Sequence, residues 1–554
     1  MLNSSFSPQV LNVTVSHCEF RDNEVFPGAG TGIQSAKGGA FSISESTTVV
    51  VEDSGFFNNI AQPRFTNVDN FVYNVSGSGK KETHATFHLD SSGHGGAGYV
   101  RGRSQDFARS FATVRRCAFE NNTAKSGGGA GSQGGALHVW QYRGLHVVDC
   151  NFTGNLADNF EDVNSSYVAQ SAGMGGALFF QDSPQCVVEA CRLVGNTAQG
   201  ISAGSNLGLA HGGGMVVSSY SEVTVYDTLF MNNSVLAGGV GGAVSVFEKS
   251  TVNVSSSEFT GNFATCATFE SSRGGAVAIH NSCRGSFDGV NFVGNNVIPE
   301  IAESGWVGVP GGTSSIGRLP ARTASPSSSG KKKNCISTPR LSAANGGEGG
   351  AVVLIMASAT FTRCTFEKNH VSGGVNSGGK GAGVSLQGSL DVLFDNCTFH
   401  RNVAFGLYEG KWGMGGQGGA AYVLASTPMF RRCIFSGNYV SGGGQTMSYG
   451  GAVALRFAAA ISQTCAQPVF DACQFLNNSA LPLVAETRSF CGVGGAIHAL
   501  RATALFTNSS FVGNDADCQS SSAEERVSNP SRTGSGGAMA IADGTSRLAS
   551  NYTS

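Results

Sequence analysis

The sequence predicts an all-β chain, a parallel β-solenoid of about thirteen rungs, and two alternating signals predict it. One is Phe-x-x-Asn, found thirteen times with Leu193 once in place of Phe; the other is a Gly-Gly-Ala-type triplet, also found thirteen times. Gly-Gly in every unit argues against helical repeats, because each Gly in a helix interior costs about 1 kcal/mol. The segments between the signals are short, β-branched and of period two, as in Thr-Val-Asn-Val at 251–254. Stacked units of this kind form parallel sheets. At about 4.8 Å per rung, thirteen rungs make a rod roughly 60 Å long.

Taken along one unit, each column has a structural task. Five residues before the Phe stands Val in the first seven rungs (Val15 to Val254) and Phe in the last six (Phe287, Phe361, Phe394, Phe430, Phe470, Phe506). Two residues earlier, the Phe block carries small or compact partners: Gly285, Ala359, Val392, Pro428, Pro468 and Ala504. Both columns are expected to face inward, with the core repacked near residue 285. Two residues before the motif Phe the side chain is small. It is Cys at 18, 117, 150, 191, 364, 397, 433 and 473, and a ladder of buried free thiols acting as small hydrophobes is expected there. The Phe column itself (Phe20, Phe119, Phe152, Phe259, Phe366 among others) shares that inward face, because residues two apart on a strand point the same way.

The Asn column is complete: Asn23, Asn59, Asn122, Asn155, Asn196, Asn233, Asn262, Asn295, Asn369, Asn402, Asn438, Asn478 and Asn514. Asn tolerates left-handed backbone at a turn, and identical amides one rung apart can bond as a ladder. The glycine pair, for example Gly134-Gly135, Gly241-Gly242 and Gly450-Gly451, lets the chain enter the next strand at a tight corner. From the first Gly of a triplet to the next motif Phe (or Leu193) is 17 or 18 residues in ten of twelve cases. From that residue to the next triplet varies from 11 to 57, so insertions collect at one corner. The longest, 60–94 and 297–345, read as flexible loops, the second carrying Lys331-Lys332-Lys333. The repeat runs end to end, so residues 1–554 read as one solenoid, starting and stopping off-beat as a fragment of a longer chain would.

Composition bounds the function. Gly is about twice its usual share and charged residues about half theirs. The formal net charge of −2 leaves no nucleic-acid or anionic-membrane footprint. No apolar run approaches the roughly 18 residues of a membrane span. Cys186, Cys266, Cys283, Cys335, Cys465, Cys491 and Cys518 lie mostly in variable parts, where some loop disulfides are open possibilities, and no zinc spacing occurs. Twelve N-x-S/T sequons occur, at Asn3, Asn12, Asn74, Asn121, Asn151, Asn164, Asn232, Asn253, Asn396, Asn477, Asn508 and Asn551, and support a secreted, glycosylated surface.

Chemistry is harder to find. A β-helix hydrolase or lyase needs clustered carboxylates, or a carboxylate with Arg or Lys, on one sheet face. The outward column before the Cys position (His17, Asp53, Arg116, Asp149 and onward to Asn508) is a mixed, solvated stripe in which Arg116 and Asp149 are placed to pair. Gly93-His94-Gly95 is similar to the Gly-His-Gly of pectin-hydrolysing helices but reads as a glycine corner. The run from Gly374 to Lys380 nearly matches a phosphate loop, yet Gly381 stands where Ser or Thr should hold magnesium. No catalytic, cofactor or metal residue is assigned.

The alternation of GGA[ILV] and FxxN, as at Gly38-Gly39-Ala40 and Phe20/Asn23, resembles the repeat of chlamydial polymorphic membrane proteins, and of similar right-handed parallel β-helix proteins in bacteria and protists. The resemblance covers essentially the whole chain. It implies a right-handed parallel β-helix with long loops on one edge, an extracellular or cell-surface passenger acting in adhesion, and a partner that is a host or neighbouring cell-surface glycan or protein. The motif residues are structural in that family, so no active site comes with them. The chain shows no signal peptide and no outer-membrane barrel, and its sequons fit a eukaryotic surface protein as well. The alternative reading is a carbohydrate-active β-helix enzyme.

Overall fold

A computed structural model describes residues 12–550 except 27–34, 45–47, 63–70, 75–80, 85–91, 103–110, 127–130, 160–171, 201–208, 237, 267–271, 300–345, 375–376, 407–414, 443–446, 457–466, 482–491, 518–535 and 543–547. Each rung contributes four short strands, illustrated by Leu145–Val148, Asn151–Thr153, Leu156–Asn159 and Leu178–Gln181. Stacking like strands from successive rungs builds four parallel sheets of 14, 13, 13 and 13 strands. They are called here the valine, phenylalanine, alanine and glycine sheets, in chain order. Register is maintained motif to motif: Phe119 pairs with Phe56 and Phe152, and Leu137 with Leu178. The fold is a right-handed parallel β-helix.

In all thirteen rungs the valine and phenylalanine strands end at a left-handed residue, and another left-handed residue stands just before the glycine strand. The latter is the first triplet glycine, as at Gly134 and Gly241 (φ 64° and 71°). Its successor is fixed by space: a Cβ on Gly135 would lie 2.0 Å from the Gly176 carbonyl oxygen, and one on Gly242 would lie 2.0 Å from that of Gly275. The Asn corner differs from expectation. The motif Asn is not the left-handed residue; the residue before it is, in all thirteen rungs, from Asp22 and Asn58 through Gly154 and Lys368 to Gly513. The bend thereby swings the Asn side chain inward, where an amide has partners. The residue before the Cys position is left-handed in every rung too.

Asn59 to Asn478 are fully buried and form an unbroken ladder. Each Oδ1 accepts from the backbone N–H and the Nδ2 of the Asn one rung earlier, as Asn295 does from Asn262 at 3.0 Å each. Each Nδ2 also donates to the Phe carbonyl of the earlier rung, as Asn262 does to Phe230 at 2.9 Å. Two more ladders, not foreseen from the sequence, work alike at other corners. Ser183, Ser221 and Ser250 each accept through Oγ from the preceding rung's backbone N–H. At the Cys position Thr228 accepts from Cys191 N–H and Ser257 from Thr228 N–H.

Inside, the motif Phe rings stack with centroids 4.8 Å apart at Phe56–Phe119 and 4.6 Å at Phe366–Phe399, interrupted at Leu193. The second Phe column is buried as expected, stacking at 4.7 Å from Phe287 through Phe430. The two columns meet edge to face, Phe394 against Phe399 at 5.7 Å and 64°, the geometry that ring quadrupoles favour. Gly285 is small because it must be: a Cβ there would lie 2.5 Å from Ile279 Cδ1 and 2.8 Å from the Phe287 ring. The thiols of Cys117, Cys150, Cys191, Cys364, Cys397, Cys433 and Cys473 are buried and free, while Cys18 is exposed. Cys186 and Cys283 are not in variable parts; both are core residues, and burial pushes the Cys186 thiol up to about 12. Cys335, Cys465, Cys491 and Cys518, with the Cys266 side chain, lie outside the described residues.

Of the 60–94 excursion, Phe71–Asn74 pairs antiparallel with Lys81–His84. Only 297–299 of the second excursion is among the described residues.

Candidate binding face

The glycine sheet departs from period two. Its strands read buried at three successive positions, as in Leu137–Trp140 and Val384–Gln387. The inward positions belong to the core. The outward ones, among them His138, Phe179, Ser385, Tyr422 and His498, are buried as well, so a second layer covers this sheet from outside. The residue before each glycine pair supplies part of that layer. These residues bridge in register through His94, Gln133, Met174, His211, Val240, Arg273, Glu348, Lys380, Gln417 and Tyr449.

The layer changes character along the rod. At one end His94 Nδ1 lies 3.1 Å from His138 Nδ1, with Tyr99 and Phe179 edge-on to the His138 ring. Burial, then Lys37, holds His94 down to about 4, and burial, His94 and Lys37 put His138 well below its ordinary range. Val240, Ala278 and Val353 form an apolar middle. Beyond them the layer becomes charged. Glu348 receives Arg273 Nε at 3.1 Å, Lys380 Nζ at 2.9 Å and Gln387 Nε2 at 2.6 Å. Burial pushes the Glu348 carboxyl up, but Lys380 and Arg273, with hydrogen bonds from Lys380 and Gln387, bring it below the usual range, so it is held ionised. Lys380 Nζ stands 5.7 Å from the centre of the Tyr422 ring, and the Arg456 guanidinium 5.5 Å from that of Tyr449. Tyr449 lies 4.7 Å from the His498 ring.

The sequence-assigned residues lie elsewhere. Phe20, Phe119, Phe152, Phe259 and Phe366 with the Asn ladder build the interior, and Gly134, Gly135, Gly241, Gly242, Gly450 and Gly451 build the corner. The sequon side chains of Asn121, Asn151, Asn232, Asn396 and Asn477 are exposed and that of Asn253 is half-buried. They lie on the phenylalanine and valine sheets and their corners, none of them on the glycine sheet. The side chain of Asn74, like Asn3, Asn164 and Asn551, lies outside the described residues. Arg116 pairs with Asp53, at 2.7 Å from each carboxylate oxygen, and not with Asp149. His94 sits at a glycine corner with its ring in the outer layer.

Sequence reading missed the outer layer because each of its columns mixes residue types. A signal was present: the GGA triplet continues as three or four consecutive apolar or aromatic positions (Leu178-Phe-Phe, Val352-Val-Leu-Ile) instead of alternating, the mark of a strand buried on both faces.

A family model described as a right-handed β-helix region matches residues 329–546. No curated protein and no solved structure matches the chain.

Proposed function

We propose that this protein is an extracellular or cell-surface scaffold of adhesion type, built on polymorphic-membrane-protein-type repeats, that presents variable segments from one edge to a glycan or protein of a host or neighbouring cell. The observation that carries the reading is the division of labour within each rung. Three corners are fixed by left-handed residues and by hydrogen-bonded ladders. The stretch between the alanine and glycine strands is free to vary, so that the motif Phe and the next triplet stand 11 to 57 residues apart. A rigid core with most of its length variation at one edge is what display of recognition loops requires. Beads coated with the full chain should bind cells, and should lose binding when the 300–345 segment is replaced by a neutral Gly/Ser linker of equal length. Undiminished binding after that replacement and after the same change at 160–171 would sink the reading.

The Glu348 cluster favours a second reading, a carbohydrate-active enzyme, because it sets a carboxylate beside Arg273 and Lys380 on one sheet face. Release of reducing ends from a polysaccharide panel, lost in Glu348→Gln, would establish it.

A further inference from the structure

The charged stretch of the outer layer holds polar atoms the fold does not satisfy. Ser385 Oγ, Gln417 Oε1, Arg456 Nε and His498 Nδ1 are buried and have no hydrogen-bond partner among the described residues. Ser385, Gln417 and His498 are at most 2% exposed. The Asn ladder, by contrast, has every amide satisfied from Asn59 to Asn478, while the outer layer also leaves Tyr99 Oη, Gln133 Oε1 and His138 Nε2 unpaired among the described residues toward its other end. An unpaired buried polar atom is destabilising unless something else completes it. All four lie within four successive rungs of one face, since Ser385, Tyr422, Ala454 and His498 are register partners.

Their chemistry is mixed: a hydroxyl, a carbonyl acceptor, a guanidinium donor and an imidazole nitrogen. A ligand rich in hydroxyl groups matches such a set, because each hydroxyl both donates and accepts. Two tyrosine rings flank it, each already under a cation. Among the described residues of the strip, charge is unbalanced: Arg273 and Lys380 pair with the carboxylate of Glu348, and Arg456 adds a third cation against Tyr449. The side chains of Lys380, Gln387, Tyr449 and Arg456 on the same strip are half-buried, so solvent reaches the strip through them.

We propose that this strip, from Glu348 to His498, binds an acidic saccharide, its carboxylate or sulfate group on Lys380 and Arg456 and its hydroxyls on Ser385, Gln417 and His498. This rests on the adhesion reading and names the class of its ligand. Arg456, with a free Nε and its guanidinium over the Tyr449 ring, supplies the donor that planar anions prefer. Ser385 supplies a test that a structural role would fail, since removing an unsatisfied hydroxyl relieves the fold.

The experiment uses the full chain and calorimetric titration with oligogalacturonate, heparin fragments, neutral dextran and poly-glutamate, at low and at physiological salt. At least one acidic saccharide should bind, more weakly as salt rises, with dextran far weaker. Arg456→Gln should weaken binding about tenfold, the loss of one charge-assisted contact. Ser385→Ala should weaken it several-fold while its melting temperature stays level or rises. Oligogalacturonate binding alone assigns a carboxylated sugar, heparin alone a sulfated one. No binding by either, binding unchanged in both variants, or poly-glutamate binding as tightly as the saccharides would overturn the proposal. Cell attachment without saccharide binding sinks this inference and leaves the adhesion reading standing; loss of both sinks both.

Discussion

Replacing Asn262 by Ala removes four hydrogen bonds at one buried point. Its Nδ2 donates to the Phe230 carbonyl and to Asn295 Oδ1, at 2.9 and 3.0 Å. Its Oδ1 accepts from Asn233 N–H and Asn233 Nδ2, each at 3.0 Å. Alanine leaves the Asn233 N–H, one Nδ2 hydrogen and the Phe230 carbonyl short of a partner, with Asn233 fully buried. At about 1–3 kcal/mol for each of these three groups stranded away from water, the loss is about 3–9 kcal/mol. That is a large share of the roughly 5–15 kcal/mol that holds a domain folded. Asn23 is exposed, and its side chain donates to Asn59 Oδ1 alone, so water can replace it. Asn23→Ala should therefore lose no more than about 1 kcal/mol. Urea denaturation followed by far-ultraviolet circular dichroism gives the global values. Native-state hydrogen exchange at Asn233 and Asn262 reads the local opening that a stacked-repeat protein permits. Equal losses for the two variants, or a loss under about 1 kcal/mol for Asn262→Ala, would refute the claim that the ladder stabilises by leaving no buried amide unpaired.

Two glycine corners should respond differently to Ala. Gly135→Ala sets a Cβ against the Gly176 carbonyl and should cost at least about 3 kcal/mol, whereas Gly195, with nothing within 4 Å, bears only the left-handed penalty of about 1 kcal/mol; thermal melts compare them. Acid should weaken the fold through its buried imidazoles. Burial holds His211 and His370 at about 4, and burial with Arg456 does the same to His498, against roughly 6.5 in the unfolded chain. Between those values the unfolded chain binds more protons, so stability is full above about pH 6.5 and falls as pH drops toward 4, by up to roughly 1.4 kcal/mol per unit for each residue. Denaturation midpoints measured from pH 7 to 4 should fall steadily, and a flat profile contradicts the assignment. Among the described thiols, Cys18 should react with a thiol reagent in the native state within the mixing time and Cys150 and Cys433 only after unfolding, since the neighbouring thiols and then burial keep Cys150 protonated, and burial and then its neighbouring thiols do the same for Cys433.

The fold was legible because each rung repeats the same physical problem. Phe, Asn and Gly-Gly recur where one side chain suffices: a ring to stack, an amide to ladder, a Cβ to omit. The left-handed residue before each Asn escaped notice because Gly, Asn, Asp, Lys and Arg all occupy it, and the backbone sets it instead of the side chain. The Ser ladder was hidden for a related reason. Ser183, Ser221 and Ser250 are followed in their column by Cys283 and Ala357, so no single letter marks it. The outer layer was least legible. His94, Arg273, Glu348 and Tyr449 share a column but no chemistry, and only stacking reveals that they are neighbours.

The ladders also have a direction. At every Asn, and along the Ser and Thr corners, the acceptor that completes a rung's turn N–H belongs to the rung that follows it in the chain. A ribosome delivers the amino-terminal rungs first. Each newly emerged layer thus arrives as the cap its predecessor lacks, and in turn exposes a fresh, register-defining surface for the next. The amide pattern makes growth vectorial, so that the protein assembles in the manner of a filament templating its own tip, with a single chain supplying every subunit.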